Sequence, residues 1–311
     1  MKHKFKTIAT LLIASTATIH LMNRATEKKY NHTDILKNDK DQYYQFRFGK
    51  VRYIKTGSGK PILLIHDLES GSSSYEFHQI INKLAEANTI YAIDLLGYGL
   101  SEKPDLTYTN YFYVQLIHDF IQNVIKEKTT IITSGASSTI SLMLNYMNTD
   151  LIEKMYFINP QYIFDMNIIP SKQNKIMQTL YELPIYGTFI YYLFHQNEKI
   201  KNKFLSEYFY DPAKVKEKDI NAYMESAYAG GHGNKYSFSS VENHYTNINF
   251  LQALKTNKKP IIILGGSDLE NIKTNIDNYQ YYNDMVSFHM IPNTKKLPHL
   301  ENPEEVIKNV K

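Results

Sequence analysis

Chemistry in this chain has to come from hydroxyls, imidazoles, amines and carboxylates, because its 311 residues include no cysteine. There is therefore no thiol nucleophile and no disulfide. The densest set of candidate hydroxyls is Ser134–Ser138, a knot of small residues reading Ser-Gly-Ala-Ser-Ser. It follows a β-branched run, Thr129–Thr133, and precedes an apolar-periodic stretch that ends at Met147. Strand, tight turn and helix are expected in that order. This is the setting in which G-x-S-x-G presents a nucleophile at the tip of a sharp turn. Read without gaps, the pattern places Thr133 at the first glycine, Gly135 at the nucleophile and Ser137 at the last glycine. The turn is present and a glycine stands where its nucleophile belongs. Two other readings keep a hydroxyl. Ser137 becomes the tip of Gly135-Ala136-Ser137-Ser138-Thr139 if the strand is two residues longer. Ser134 becomes the tip only if Ile132 occupies a place that needs a small residue.

The elements that must position this turn are legible on both sides of it. Tyr43–Phe48 and Lys50–Thr56 read as an antiparallel pair around Gly49. Pro61–Ile65 is a continuous apolar run, as a strand buried on both faces would show. It leads into His66–Ser74 and then a helical pattern over Tyr75–Ala87. Thr89–Asp94 is the next strand, Asp94–Pro104 a loop, Tyr111–Lys126 an amphipathic helix and Lys154–Ile158 a further strand. Strands alternating with helices at this spacing predict an α/β fold with a mostly parallel, doubly wound sheet.

Before this core lie a segment 1–24 and a polar stretch 25–42. Lys2, Lys4 and Lys6 precede an apolar run, Ile8–Met22, and Arg24, Lys28 and Lys29 follow it. At 1.5 Å per residue the run reaches roughly 22–25 Å, short of the ~30 Å hydrocarbon core. A single-pass membrane anchor with the main domain outside the cell is the expectation, against a cleaved signal peptide or an amphipathic surface helix. The stretch 25–42 reads as a linker. Within the chain, 161–249 separates two halves of the core, 43–160 and 250–311. It reads as helices broken at Pro170, Pro184 and Pro212. Leu183–His195 is nearly all apolar and too short to span a bilayer, so a helix buried on the core is expected, with a lipid-touching lid as the alternative.

Several blocks together resemble the α/β-hydrolase fold family, in its epoxide-hydrolase, esterase and C–C hydrolase branch. LLIHDLESGSSSYEF is similar to the family's loop after the third strand, and DLLGYGLSEKP to its D-x-x-G-x-G-x-S-x-x-P loop. PIIILGGSDLE is similar to the strand carrying a triad acid, and IPNTKKLPHLENPEEV to the segment carrying the triad histidine. The resemblance implies a helical cap at 161–249. It also implies a nucleophile, a base and an acid acting as a unit. On this reading Asp268 holds the acid position, Gly135 the nucleophile position and Lys296 the histidine position. His299 is an alternative base. The oxyanion donors would be the backbone N–H groups of Leu68 and Ala136, with His66 and Asp67 beside them. Asp67 stands where a glycine usually follows His66, and a carboxylate there opposes a developing oxyanion unless it is protonated or turned away. Lys296 is expected to pair with Asp268.

Other functions are argued against by the sequence. A formal charge of +4 is mild, and Arg24, Arg47 and Arg52 are the only arginines, so no basic stripe for nucleic acid is expected. His118, His195, His232 and His244 lack metal-ligand spacing, and no G-x-G-x-x-G follows a strand, so neither a metal nor a dinucleotide cofactor is expected. Two functions stay open. One is a membrane-anchored hydrolase for a small ester or apolar substrate under the cap, working without an ordinary triad. The other is a non-catalytic relative that binds a ligand or a protein partner.

Overall fold

The computed structural model describes residues 2–30 and 34–310. Eight strands form one sheet: β1 (Asp41–Phe46), β2 (Gly49–Gly57), β3 (Lys60–Ile65), β4 (Asn88–Ile93), β5 (Thr129–Ser134), β6 (Ile152–Ile158), β7 (Ile261–Gly266) and β8 (Val286–Ile291). Their order is β1-β2-β4-β3-β5-β6-β7-β8. The pairs β1–β2 and β2–β4 are antiparallel, and every pair from β4 through β8 is parallel. The apolar run of β3 is buried from Pro61 to Ile65, as a strand covered on both faces requires.

Helices cover both faces. α1 (Lys2–Tyr30) precedes the sheet; α2 (His78–Leu84), α3 (Asn110–Phe120) and α4 (Ser137–Met147) alternate with strands. The sheet face under α3 and α4 holds Leu63, Ile65, Ile131, Phe157 and Ile263. The opposite face holds Ile62, Leu64, Ile132, Tyr156 and Leu264 against α2 and the C-terminal helix. The side chains of successive strand residues thus divide between two cores, as a pleated strand dictates. α3 is capped by Thr109, whose hydroxyl accepts from Phe112 N, and loosens into a wide turn at Ile121–Ile125.

The chain crosses over after β3. β4 pairs on one side of β3 and β5 on the other, with Ile65 opposite Thr133. This is a topological switch point, where open α/β sheets form their ligand crevice. It brings the residues after β3, His66 and Asp67, beside those after β5, Ser134 and Gly135.

The insertion folds as five helices: α5 (Lys172–Glu182), α6 (Tyr186–Phe194), α7 (Asn197–Lys203), α8 (Glu217–Tyr228) and α9 (Asn234–Glu242). Pro170 and Pro184 lie just ahead of α5 and α6, and Pro212 opens a short 3-10 turn. Ser171 caps α5 in a reciprocal box with Asn174. α6 buries Tyr191 and Tyr192 in a cap core with Phe204, Tyr208, Tyr223 and Tyr228. The chain then returns to the sheet through α10 (Leu251–Thr256), α11 (Ile272–Tyr282), α12 (Pro298–Glu301) and α13 (Pro303–Asn309).

Among the described residues no helix is long and apolar enough to cross a membrane. The apolar run is short and broken by threonines and His20, and α1 continues into charged residues. Its second half docks on the cap. Thr16 Oγ1 lies 2.5 Å from Tyr186 Oη, Asn23 Nδ2 donates to Ile185 O at 2.8 Å, and Tyr30 stacks on Tyr228 at 4.3 Å. The stretch read as a linker is also tied down. Leu36 is buried, its carbonyl accepts from Arg52 Nη2 at 2.9 Å, and Ile35 N donates to Glu225 Oε2 at 2.7 Å.

Candidate functional site

β5 delivers Gly135 to the tip of a turn whose backbone lies in the left-handed region, at φ +55°. Glycine adopts that conformation without a Cβ clash. The turn is fixed by Gly135 N donating to Ile158 O at 3.0 Å and Ser138 N donating to Gly135 O at 3.2 Å. The neighbouring hydroxyls point into the fold. Ser137 is fully buried and its Oγ donates to His66 O, while Ser138 Oγ donates to Gly135 O at 2.8 Å. Ser134 is buried at the end of β5. Ser137, the alternative nucleophile, thus lies one residue inside α4 and not at the tip.

Asp67 occupies the space over the tip. A Cβ placed on Gly135 would overlap its carboxyl group. Asp67 Oδ1 accepts from Leu68 N at 2.7 Å and from Ala136 N at 2.9 Å. These are the two donors expected to stabilise an oxyanion, and the protein's own carboxylate fills both. Asp67 is turned into the hole, not away from it. Its pKa is raised, first by burial and then by Glu76 and Glu69, against Lys296 and the Ala136 N–H.

Lys296 approaches from the loop after β8. Its Nζ contacts Glu69 Oε2, lies 3.6 Å from Asp67 Oδ2 and sits 5.1 Å from the Tyr208 ring centre. Its backbone is anchored by Lys296 N donating to Tyr208 O at 3.0 Å and Asn159 Nδ2 donating to Lys296 O at 2.9 Å. Burial disfavours the ammonium, yet Glu69 and Asp67 hold its pKa above the ordinary lysine value. Glu69 also pairs with Lys203. Burial raises the Glu69 pKa, but the two lysines outweigh it and hold the carboxyl well below the usual range.

The expected pair of Lys296 with Asp268 does not form. Asp268 lies on the exposed turn after β7, where its Oδ2 accepts from Ser267 Oγ at 2.6 Å and its backbone N donates to Thr294 O. Glu69 and Asp67 offer Lys296 nearer counter-charges. His299 is fully buried, stacked on Phe77 at 5.2 Å, with Nε2 3.8 Å from Glu76 Oε2 and no hydrogen-bond partner on either ring nitrogen. It does not line the cavity at the turn. His66 is held between Asp67 O at Nδ1, 2.6 Å, and Leu95 N at Nε2, 3.0 Å. A ring nitrogen that accepts from an N–H carries no proton, so His66 is the neutral Nδ1–H tautomer and serves the loop.

The structure thus gathers Asp67, Leu68, Gly135, Ala136 and Lys296; Asp268 and His299 lie outside this group, and the adjacent Ser137 hydroxyl is turned to His66 O. It adds Glu69 and Lys203, which the sequence reading passed over. The cavity above them has a volume of about 460 Å³, with Met166, Ile168, Phe238 and Val241 facing it from the cap side. Among the described residues no three His, Asp or Glu side chains are grouped to hold a metal ion.

Comparison with known proteins agrees with this architecture. The chain is 29% identical over 108 residues to a 2-hydroxy-6-oxo-6-(2'-aminophenyl)hexa-2,4-dienoic acid hydrolase of Metapseudomonas resinovorans, covering 34% of this chain and 37% of that protein. It thus matches little more than a third of that relative's length. Among solved structures, a serine hydrolase involved in carbazole degradation superposes with a TM-score of 0.68 at 18% identity, over 86% of this chain and 95% of the other. A membrane phospholipase A superposes with a TM-score of 0.68 at 17% identity, over 99% and 96%. At such identities the likeness is one of fold. A sequence profile described as the alpha/beta hydrolase family matches residues 62–309, most of the chain from β3 to α13. The chain belongs to the alpha/beta hydrolase family.

Proposed function

We propose that this chain binds a small organic ligand beneath its cap, and that the acyl-enzyme route of ester hydrolysis is closed to it. One observation carries the reading: the Asp67 carboxylate accepts from both Leu68 N and Ala136 N directly over Gly135. An oxyanion forming on a substrate carbonyl needs free donors at that spot. Here they are occupied by a group of the same sign. The tip offers no hydroxyl, the nearby Ser137 and Ser138 hydroxyls are spent on backbone carbonyls, and an ammonium stands at the base position. What remains is a cavity of about 460 Å³, in the size range of small-molecule sites, with a charged floor and a cap side that sets Met166, Ile168, Phe238 and Val241 among polar residues such as His195, Glu242 and His244.

The second reading is an ester hydrolase of unusual mechanism, favoured by family membership and by the hydrolase relatives. The two are separated with nitrophenyl esters and a fluorophosphonate probe. The wild type is expected to match the buffer rate and to remain unlabelled. The triple variant Asp67→Gly, Gly135→Ser, Lys296→His is expected to gain labelling at position 135. Labelling of Ser134, Ser137 or Ser138 in the wild type, or ester turnover as fast as the triple variant, would sink the ligand-binding reading.

A further inference from the structure

We infer that the ligand held beneath the cap is a small primary amine in its ammonium form with an apolar body, and that Glu242 and His195 on the cap side receive its N–H groups. The inference rests on the ligand-binding reading and adds the class of ligand. The charges around the cavity point to it. On the floor, Glu69 pairs with Lys203 and with Lys296, and Asp67 Oδ2 lies 3.6 Å from Lys296 Nζ. These carboxylates and ammonium groups balance one another. Asp165 and Glu242 line the same cavity from the cap side. Neither forms an ion pair among the described residues, and the cavity's lysines are engaged on the floor. Negative charge is therefore in excess on the cap side. A cleft lined by one sign of charge concentrates ligands of the other.

Hydrogen bonding narrows the cation to one that carries N–H groups. His195 ends α6 and is buried, yet it lines the cavity. Its ring is held by stacking on Tyr191 at 4.1 Å and by the edge contact with Phe238 at 5.2 Å. Nδ1 donates to Tyr191 O at 2.7 Å, and no donor among the described residues reaches Nε2. Burial lowers the His195 pKa to about 4, so the ring is neutral and Nε2 keeps its lone pair. Glu242 is the last residue of α9, where the closing carbonyls add partial negative charge and the last turn holds no basic residue. It is exposed at the cavity rim. A carboxylate and an imidazole nitrogen thus stand on one wall as acceptors without donors. An ammonium supplies donors to both and neutralises the carboxylate. A carboxylate ligand would meet Glu242 as a like charge, and an alcohol would leave the charge uncompensated. The apolar body has its own surroundings. A smaller cavity of about 190 Å³ shares His195, Phe238 and Glu242 with the first and is bordered by Phe194, Tyr208 and Tyr223. The Phe238 ring also favours a cation placed over its face.

The test titrates the full chain with 2-phenylethylamine, 2-phenylethanol and 3-phenylpropanoate at neutral pH, followed by calorimetry and by ligand-observed nuclear magnetic resonance. The amine is expected to bind at least about tenfold more tightly than the alcohol or the acid, the scale of one charge-assisted hydrogen bond. Glu242→Gln changes an exposed position, so the fold is kept; it should weaken the amine at least about fivefold and leave the alcohol within about twofold. The N,N,N-trimethyl form of the amine keeps the charge and has no N–H group, so it should bind at least about threefold less tightly than the amine. An amine that binds no better than the alcohol, an amine affinity unchanged in Glu242→Gln, or a trimethyl form that binds as tightly as the amine overturns the inference and leaves the ligand-binding reading standing. Absence of binding by all of these compounds overturns the inference and counts against the ligand-binding reading as well. Nitrophenyl ester turnover by the wild type would sink the ligand-binding reading alone, since the order of the affinities is read without any reaction.

Discussion

The closest test of the site's architecture is Gly135→Ala, made alone and in an Asp67→Gly background. Two costs act on the single variant. A Cβ in the left-handed region at φ +55° costs about 1–2 kcal/mol. The same Cβ overlaps the Asp67 carboxyl, which must leave the position where it accepts from Leu68 N and Ala136 N. Hydrogen bonds to a charged group are worth about 1.5–3 kcal/mol each. Water recovers part of that loss because the site opens to a cavity, so about 2 kcal/mol in total is a reasonable charge for displacing the carboxylate. Gly135→Ala should therefore cost about 3–4 kcal/mol in the wild-type chain. With Asp67→Gly already in place, only the backbone term of about 1–2 kcal/mol remains. The cycle should give a coupling of about 2 kcal/mol, well beyond the additivity of independent sites. Urea unfolding followed by far-ultraviolet circular dichroism reads it; the chain has no tryptophan to follow by fluorescence. Equal costs in the two backgrounds, within about 0.5 kcal/mol, would refute the claim that Asp67 fills the space over Gly135.

The acid limb of stability supplies another prediction. Burial opposes the Glu69 carboxylate, but Lys296 and Lys203 depress its pKa below the ordinary glutamate value. A depressed acid contributes stability that is present above the unfolded pKa and lost as pH falls through the folded one. Glu69→Gln should flatten the loss of stability below about pH 4.5, measured as urea midpoints across that range; an unchanged acid limb would show that the pair with the lysines contributes nothing. Arg52 anchors the other end of the sheet. It is 2% exposed and donates to Asp41, Asp94, Ser74 and Leu36 O. Arg52→Met leaves two carboxylates without their partner and should cost about 3–5 kcal/mol, seen as a large fall in thermal midpoint; a shift of a degree or two would contradict it.

Seven of the eight strands and the helical insertion were legible because apolar runs, alternation and prolines act locally; β8 was not read. The apolar run of β3 and the small-residue turn at Gly135 needed only neighbours in sequence. Glu69 was not legible. It is one acidic residue in a polar loop, and its importance comes from Lys203 on the cap and Lys296 after β8 meeting it in space. The pairing of Lys296 with Asp268 was expected by position along the chain. It failed because position did not reveal that Asp67 and Glu69 would stand closer. The posture of Asp67 was half legible: a carboxylate was seen to threaten the oxyanion site. Its turning inward follows from the parallel register that sets Ile65 beside Thr133. The contacts of the N-terminal helix with the cap were not legible, because hydropathy along Ile8–Met22 says nothing of Asn23 and Tyr30 reaching it.

The seated carboxylate also constrains the order in which this site can change by mutation. A hydroxyl cannot be installed at position 135 while Asp67 fills the volume it would need. A lineage that acquired Asp67 after losing its serine would be held in place by it, since the first backward step, serine at the tip, brings a steric penalty before any benefit. The departure of Asp67 must come first, and that step uncovers Lys296 beside Glu69 without yet restoring a nucleophile. The turn thus sets an order of change: Asp67 has to leave before a hydroxyl can stand at position 135.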